Sequence, residues 1–226
     1  MVLKLGLVLD IPLRQRNLML GAAGFAAAYS ERNLTDPELR EVKQALDFML
    51  QQAEPFPAIV VDRLWNLVMR NDAADVMMQW LGGAPTAPAL QGEGEINVIR
   101  LLLHPQGMRD HVVNWREVAG DVIHWIHREA IAEGPAGPAH LLLDELLKID
   151  GIPPDWRTPN LESRVIPFLP LVLAREGVEL RLFTTITTLG TPHDVTLHEL
   201  RMESFFPADE ETAAWFRARG KPAESA

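Results

Sequence analysis

Ala58-Ile59-Val60-Val61-Asp62-Arg63-Leu64-Trp65-Asn66-Leu67-Val68-Met69-Arg70-Asn71 decides the fold. Ala58 to Val61 and Leu64 to Met69 are β-rich runs, and Asp62-Arg63 between them predicts a hairpin. Asn71 then caps a helix that carries Ala74, Met77, Met78 and Leu81 at helical spacing, and Gly82-Gly83 closes it. Strand, turn, strand and capped helix in 26 residues make a sheet with a helix returning over it the expected start of the domain.

The last third returns to strand periodicity. Val178, Leu180, Leu182, Thr184 and Ile186 share one face, while Glu179 and Arg181 share the other. Leu200, Met202, Ser204 and Phe206 alternate in the same way with Glu199, Arg201 and Glu203. Turns are expected at Arg175-Glu176-Gly177 and at Gly190-Thr191-Pro192-His193-Asp194, giving a three-stranded meander whose first strand starts near Phe168. Pro167 and Pro170 imply that this strand lies at an edge or begins late. Two early and three late strands with helices between them define an α+β fold, a five-stranded antiparallel sheet covered by helices.

Helices are expected from about Ile96 to Leu103, Asn114 to Glu133 and Ala139 to Ile149, with a Gly, Pro and Ala loop over 82–95. Within Leu101 to Ala119, His104-Pro105 stops one helix. Asn114 caps the next, and Glu117 stands where it can complete a capping box. Upstream, Ile11-Pro12 splits two short helices, with a strand through Leu3, Leu5, Leu7 and Leu9 as the alternative. Asp36-Pro37 opens a helix carrying Leu39, Val42, Leu46, Met49 and Leu50, which ends before Pro55.

Composition narrows the function. Lys+Arg 21 against Asp+Glu 31 gives a formal charge of −10, which provides no net source of phosphate neutralisation for holding DNA. With no cysteine there is neither a disulfide, a zinc-thiolate site nor a cysteine nucleophile. The N-terminal apolar stretches are cut by Lys4, Asp10, Arg14 and Arg16, so no spanning helix or signal peptide is expected, and the cytoplasm is the expected compartment. The phosphate-cradling, nucleophile-elbow and His-Glu-x-x-His motifs are all absent.

Asp121, His124 and His127, with His111 nearby, form the one enzyme-like cluster. His124 and His127 at i, i+3 put two nitrogens on one side of a helix, as a metal needs and as half-exposed helix histidines also show. Arg100, Arg109 and Arg116 flank the Leu101 to Ala119 stretch. Arg100 lies within Val98-Ile99-Arg100-Leu101-Leu102, where an unpaired buried charge is costly, so it snorkels outward or meets an anion. A ligand anion there would suit a fatty acid or similar acidic amphiphile.

Val8 to Asn17, Pro57 to Arg63, Arg100 to Val118, Pro154-Asp155-Trp156-Arg157, and Leu182 to Phe206 with Thr185-Ile186-Thr187-Thr188-Leu189-Gly190-Thr191-Pro192, together resemble MmyB-like bacterial transcription regulators. The resemblance implies a PAS-like ligand-sensing domain that follows an XRE-family helix-turn-helix DNA-binding domain. It carries no catalytic residues, so neither enzyme activity nor a cofactor is expected. On this reading 1–54 is a helical segment, the end of the helix-turn-helix part plus connector helices. Residues 55–208 are the PAS-like ligand-binding domain and 209–226 a C-terminal tail. The helices that would enter DNA are outside this chain, through truncation or loss.

PAS-like sheets leave a cavity beneath their helices, which implies a small apolar or amphiphilic ligand and a homodimer that it shifts, with no membrane partner. Candidate cavity positions on the sheet are Trp65, Met69, Leu182, Thr184 and Ile186, then Leu200, Met202 and Phe206, with Met77 on the covering helix. Met and aromatic side chains adapt to a guest and fill an ordinary core equally well. Arg100, Arg109, His111 and Trp115 complete the candidate ligand contacts. Two rival readings are a ligand-free dimerisation module with Phe183 and Phe205 facing outward, and a metal enzyme built on His111, His124 and His127.

Overall fold

Pro12 separates two helices, α1 (Val2–Val8) and α2 (Leu13–Ala22), so the first residues do not form the alternative strand. The computed structural model describes residues 1–83, 87–92, 96–133, 137–156, 169–190 and 193–219. Pro37 opens a single 3₁₀ turn that continues into α3 (Arg40–Gln52). Leu46 and Leu50 of α3 bury against Ala58 and Val60 of the first strand. This helix is therefore part of the sheet's packing, although it lies before the boundary expected at 54/55.

The strands are β1 (Ala58–Val61), β2 (Leu67–Arg70), β3 (Leu169–Arg175), β4 (Val178–Thr188) and β5 (Arg201–Pro207). They form one five-stranded antiparallel sheet, as expected, and its order is β2-β1-β5-β4-β3. Phe168, the expected start of β3, and Pro167 lie outside the described residues. Pro170 does sit on the edge strand, where its missing N–H costs no ladder bond. Glu176 and Gly177 turn β3 into β4 with φ of 51° and 78°, the paired positive angles of a two-residue hairpin.

Helices cover both faces. On one side lie α4 (Asp72–Trp80), α5 (Val98–Leu103), α6 (Trp115–Glu133) and α7 (Pro138–Leu146), packed with the larger core. On the other lie α3 and the short α8 (Val195–Glu199) over a smaller core.

Three local expectations are corrected. The second strand starts at Leu67, because Asp62 organises a wider turn: its Oδ1 accepts from Leu64 N at 2.8 Å and Asn66 N at 2.9 Å. Asn114 does not cap α6. Its side chain instead clamps edge strand β3, donating to Pro170 O at 2.9 Å and accepting from Val172 N at 3.0 Å. The tight β4–β5 turn contains α8, capped by Asp194, whose Oδ1 accepts from Thr196 N at 2.9 Å. Residues 209–219 hold α9 (Glu210–Arg217): Asp209 caps it, and Phe216 packs edge-on to Phe56.

The helix in the β4–β5 connection resets the alternation of β5. Thr184 pairs with Phe205 and Ile186 with Glu203, so Phe205 and Glu203 share the face of Leu182 and Thr184. Met202 and Phe206 take the opposite face, where Met202 joins the smaller core and Phe206 stacks on Phe183 at 5.3 Å. Both parities of β5 carry large apolar residues because both sheet faces are covered, so alternation alone could not choose between them. The outward pairing expected of Phe183 with Phe205 is corrected accordingly: Phe205 is buried.

Candidate functional site

The site is built where α4 and α5 cross the sheet. Asn71 holds the start of α4 to β1: its Oδ1 accepts from Ala74 N and Ala58 N, and its Nδ2 donates to Phe56 O. Asn97 does the same for α5. Its Oδ1 accepts from Arg100 N, while its Nδ2 donates to Leu64 O at 2.7 Å and to Asn66 Oδ1 at 3.0 Å. Asn66 in turn donates to Asp62 Oδ2 at 2.9 Å. These buried amides satisfy backbone groups that the turns leave open, and so fix the height of two short helices above the sheet.

Beyond α5 the chain folds back on itself. Met108 N donates to Leu101 O at 2.7 Å, and His104 Nδ1 accepts from Gln106 N at 3.1 Å. Gly107 is required here, since a Cβ would stand 2.1 Å from the Leu101 carbonyl oxygen.

Two hollows result. An outer one of about 280 Å³ lies between the end of α4, Leu90, Leu101 and the turn at Gln106-Gly107-Met108. An inner chamber of about 80 Å³ lies next to it, against the sheet. Met78, Leu81, Leu101 and Met108 line both, so the two hollows share a wall. The chamber walls are Ala74, Met77, Val98 and Leu102 of the helices with Ile59, Leu67 and Leu171 of the strands. Its floor carries Thr184, Glu203 and Phe205.

Glu203 is the exceptional floor residue. It is only 7 % exposed, and burial pushes its carboxyl up to about 7, moderated by the hydrogen bond from Thr184. Among the described residues it makes no ion pair, and no other titratable group lines the chamber.

Of the expected ligand contacts, the structure brings Met77 and Thr184 to the chamber. Trp65 and Leu182 are buried in the same core without lining it, Trp65 standing edge-on to Trp125 at 4.5 Å. Ile186 is on the same face but 40 % exposed near the end of β4. Met69, Leu200 and Met202 pack in the smaller core on the far side of the sheet, and Phe206 lies on that outer side as well.

The expected cations are elsewhere. Arg100 forms a two-point pair with Glu145 of α7, at 2.9 and 2.7 Å, so the protein itself supplies its anion. Arg109 lies over the Trp115 ring at 4.2 Å and donates to Asp150 O, away from the chamber. Arg116 pairs with Asp155 at the surface. His111 ends a 3₁₀ turn before α6. His127 packs on Trp156 and His124 is exposed, and no group of three metal-ligating side chains forms among the described residues.

Missed by sequence reading were Glu203 and Phe205, through the parity of β5, and Met78, Val98, Leu102 and Met108. Leu101 and Met108 lie in the stretch that carried the resemblance, but periodicity does not say that a turn folds over a hollow.

The chain is similar to the PAS domain from Bordetella pertussis BvgS, at 14 % identity over 80 % of this chain and 96 % of that chain, with a TM-score of 0.31. The curated proteins contain no match. The family model described as the MmyB-like transcription regulator ligand binding domain matches residues 42–218, which takes in the whole sheet, both hollows and α9. With that span covered, the chain belongs to the MmyB-like transcription regulator ligand-binding domain family.

Proposed function

We propose that this domain senses a small apolar or amphiphilic effector, fatty-acid-like in having an aliphatic body, by seating it in the chamber between α4, α5 and the sheet. The observation that carries the reading is an apolar chamber between α4, α5 and the sheet that shares four wall residues with a hollow open to solvent. The outer hollow approaches the lower size limit of small-molecule pockets, roughly 300 Å³. The inner chamber does not hold a long chain as it stands. Met77, Met78 and Met108 line it, and unbranched thioether side chains repack at low cost to admit one.

The domain acts by binding rather than catalysis, as part of an XRE-family regulator in the bacterial cytoplasm whose DNA contacts come from a helix-turn-helix domain. No helix of the described residues is long and apolar enough to cross a membrane. Effector occupancy would shift a homodimer between two arrangements by differential affinity.

An ion-pair chain joins the sensing sheet to the N-terminal helices. Arg14 of α2 makes two bonds to Glu199, at 2.7 and 2.9 Å, just before β5. Glu199 also meets Arg63 in the β1–β2 turn at 3.5 Å, and Arg63 pairs with Glu133 of α6. Glu199→Ala should therefore raise amide hydrogen exchange in α2 about tenfold while the β1 and β4 amides stay protected. Unchanged exchange in α2 would remove this link.

The chamber itself is tested with Val98→Phe, which fills it from the partly buried end of α5. Native mass spectrometry of the purified wild type should show a retained small molecule, or one acquired from a bacterial lipid extract. The variant should keep its circular dichroism and lose at least nine-tenths of that adduct. A wild type that never carries or takes up a guest would end the proposal.

A further inference from the structure

We propose that the effector of this chamber has a basic, hydrogen-bond-donating head, a primary amine on an aliphatic body, which docks head-first on the Glu203 carboxyl beside Thr184. This rests on the chamber being the effector site and specifies which chemistry it accepts.

The floor is the polar end of the chamber. Apart from Thr184 and Glu203, every side chain lining the chamber is apolar, so these two alone can read the polar end of a guest that enters head-first. Glu203 is buried, hydrogen-bonded by Thr184, and without an ion pair among the described residues. The cation on its own strand and face, Arg201, is directed elsewhere: it bonds Glu129 of α6 at 2.6 Å and lies over the Trp125 ring at 5.3 Å. Arg100 on α5 is held by Glu145.

A carboxylate guest arriving there would place two like charges together in a poorly solvated space, which is strongly unfavourable. An alcohol could donate one neutral hydrogen bond. A protonated amine supplies several donors and the opposite charge, and it relieves the one desolvated acid of the site. The burial that holds the carboxyl near neutrality in the empty protein is the same burial that strengthens such a pair once formed.

The test uses the whole chain and three probes of equal length, n-hexylamine, n-hexanol and n-hexanoate, with binding measured by calorimetry at pH 8. Wild type should bind hexylamine at least tenfold more tightly than hexanoate, with hexanol between them. Glu203→Gln keeps the size of the side chain and should weaken hexylamine about tenfold or more while leaving hexanol within twofold. Thr184→Val, which spares the acid, should cost hexylamine only a few-fold.

Hexanoate binding as tightly as hexylamine, or hexylamine affinity unmoved in Glu203→Gln, overturns the head-group assignment. If hexanol still binds in that case and Val98→Phe abolishes it, the chamber remains the effector site and only the head-group chemistry fails. If none of the three probes binds, both the assignment and the chamber reading fail together.

Discussion

Replacing Asn71 with alanine should lower the stability of the domain by about 3–5 kcal/mol, the largest loss expected from any single polar side chain in this fold. Asn71 is 6 % exposed, and four bonds converge on its amide: from Ala58 N at 2.9 Å and Ala74 N at 3.0 Å to Oδ1, and from Nδ2 to Phe56 O at 2.8 Å and Leu50 O at 3.3 Å. One side chain thus caps α4, closes the first residue of β1 and ties down the end of α3. Alanine removes an N-cap worth about 1 kcal/mol and leaves buried backbone groups unpaired, each costing about 1–3 kcal/mol. A domain of this size should lose roughly 10–15 °C in Tm. Asn71→Asp keeps the cap but turns an acceptor toward the Phe56 carbonyl, so it should fare no better than alanine. Denaturant melts of both variants check the account, and a loss below about 1 kcal/mol for either would refute it.

Glu203→Gln should make the protein more stable at alkaline pH, an unusual result for removing a buried polar charge. Burial raises the folded carboxyl from 4.5 to about 7, so the native state keeps its proton where the unfolded chain has released it. The contribution is fully present below pH 4.5, declines as pH rises, and is lost above about 7, where the native protein carries a desolvated carboxylate. That interval corresponds to a penalty on the order of 3 kcal/mol. Subtracting variant from wild-type stability across pH 4.5 to 8.5 isolates the group, because the surface ion pairs are common to both. The difference should be small at the acid end and favour the variant by ~2–3 kcal/mol at the alkaline end. A flat difference would mean that the carboxyl is solvated.

Such an acid is a poor choice for stability and a good one for recognition. A core of the same shape could be made with leucine at 203, yet the chain places there a buried acid that makes no ion pair among the described residues, on the floor of an apolar chamber. Departures from the packing rule of this kind concentrate where a protein meets something else.

The sequence by itself determined most of the architecture. Local signals were strong at Pro12, Pro37, Asn71 and Gly82-Gly83, where proline geometry, side-chain capping and left-handed glycine act over a few residues and owe little to the rest of the chain. Alternation in β4 likewise reported its faces correctly through Leu180, Leu182 and Thr184. Only the tertiary structure decided what the site contains. A helix hidden between β4 and β5 inverted the reading of β5, bringing Glu203 and Phe205 inward and sending Met202 and Phe206 to the other side. Asn114 left its expected cap to pair with a strand some 56 residues away, and Arg100 found its carboxylate 45 residues away on α7. Period and propensity describe one element at a time. The partner of a side chain, and the space left between elements, depend on how distant segments meet.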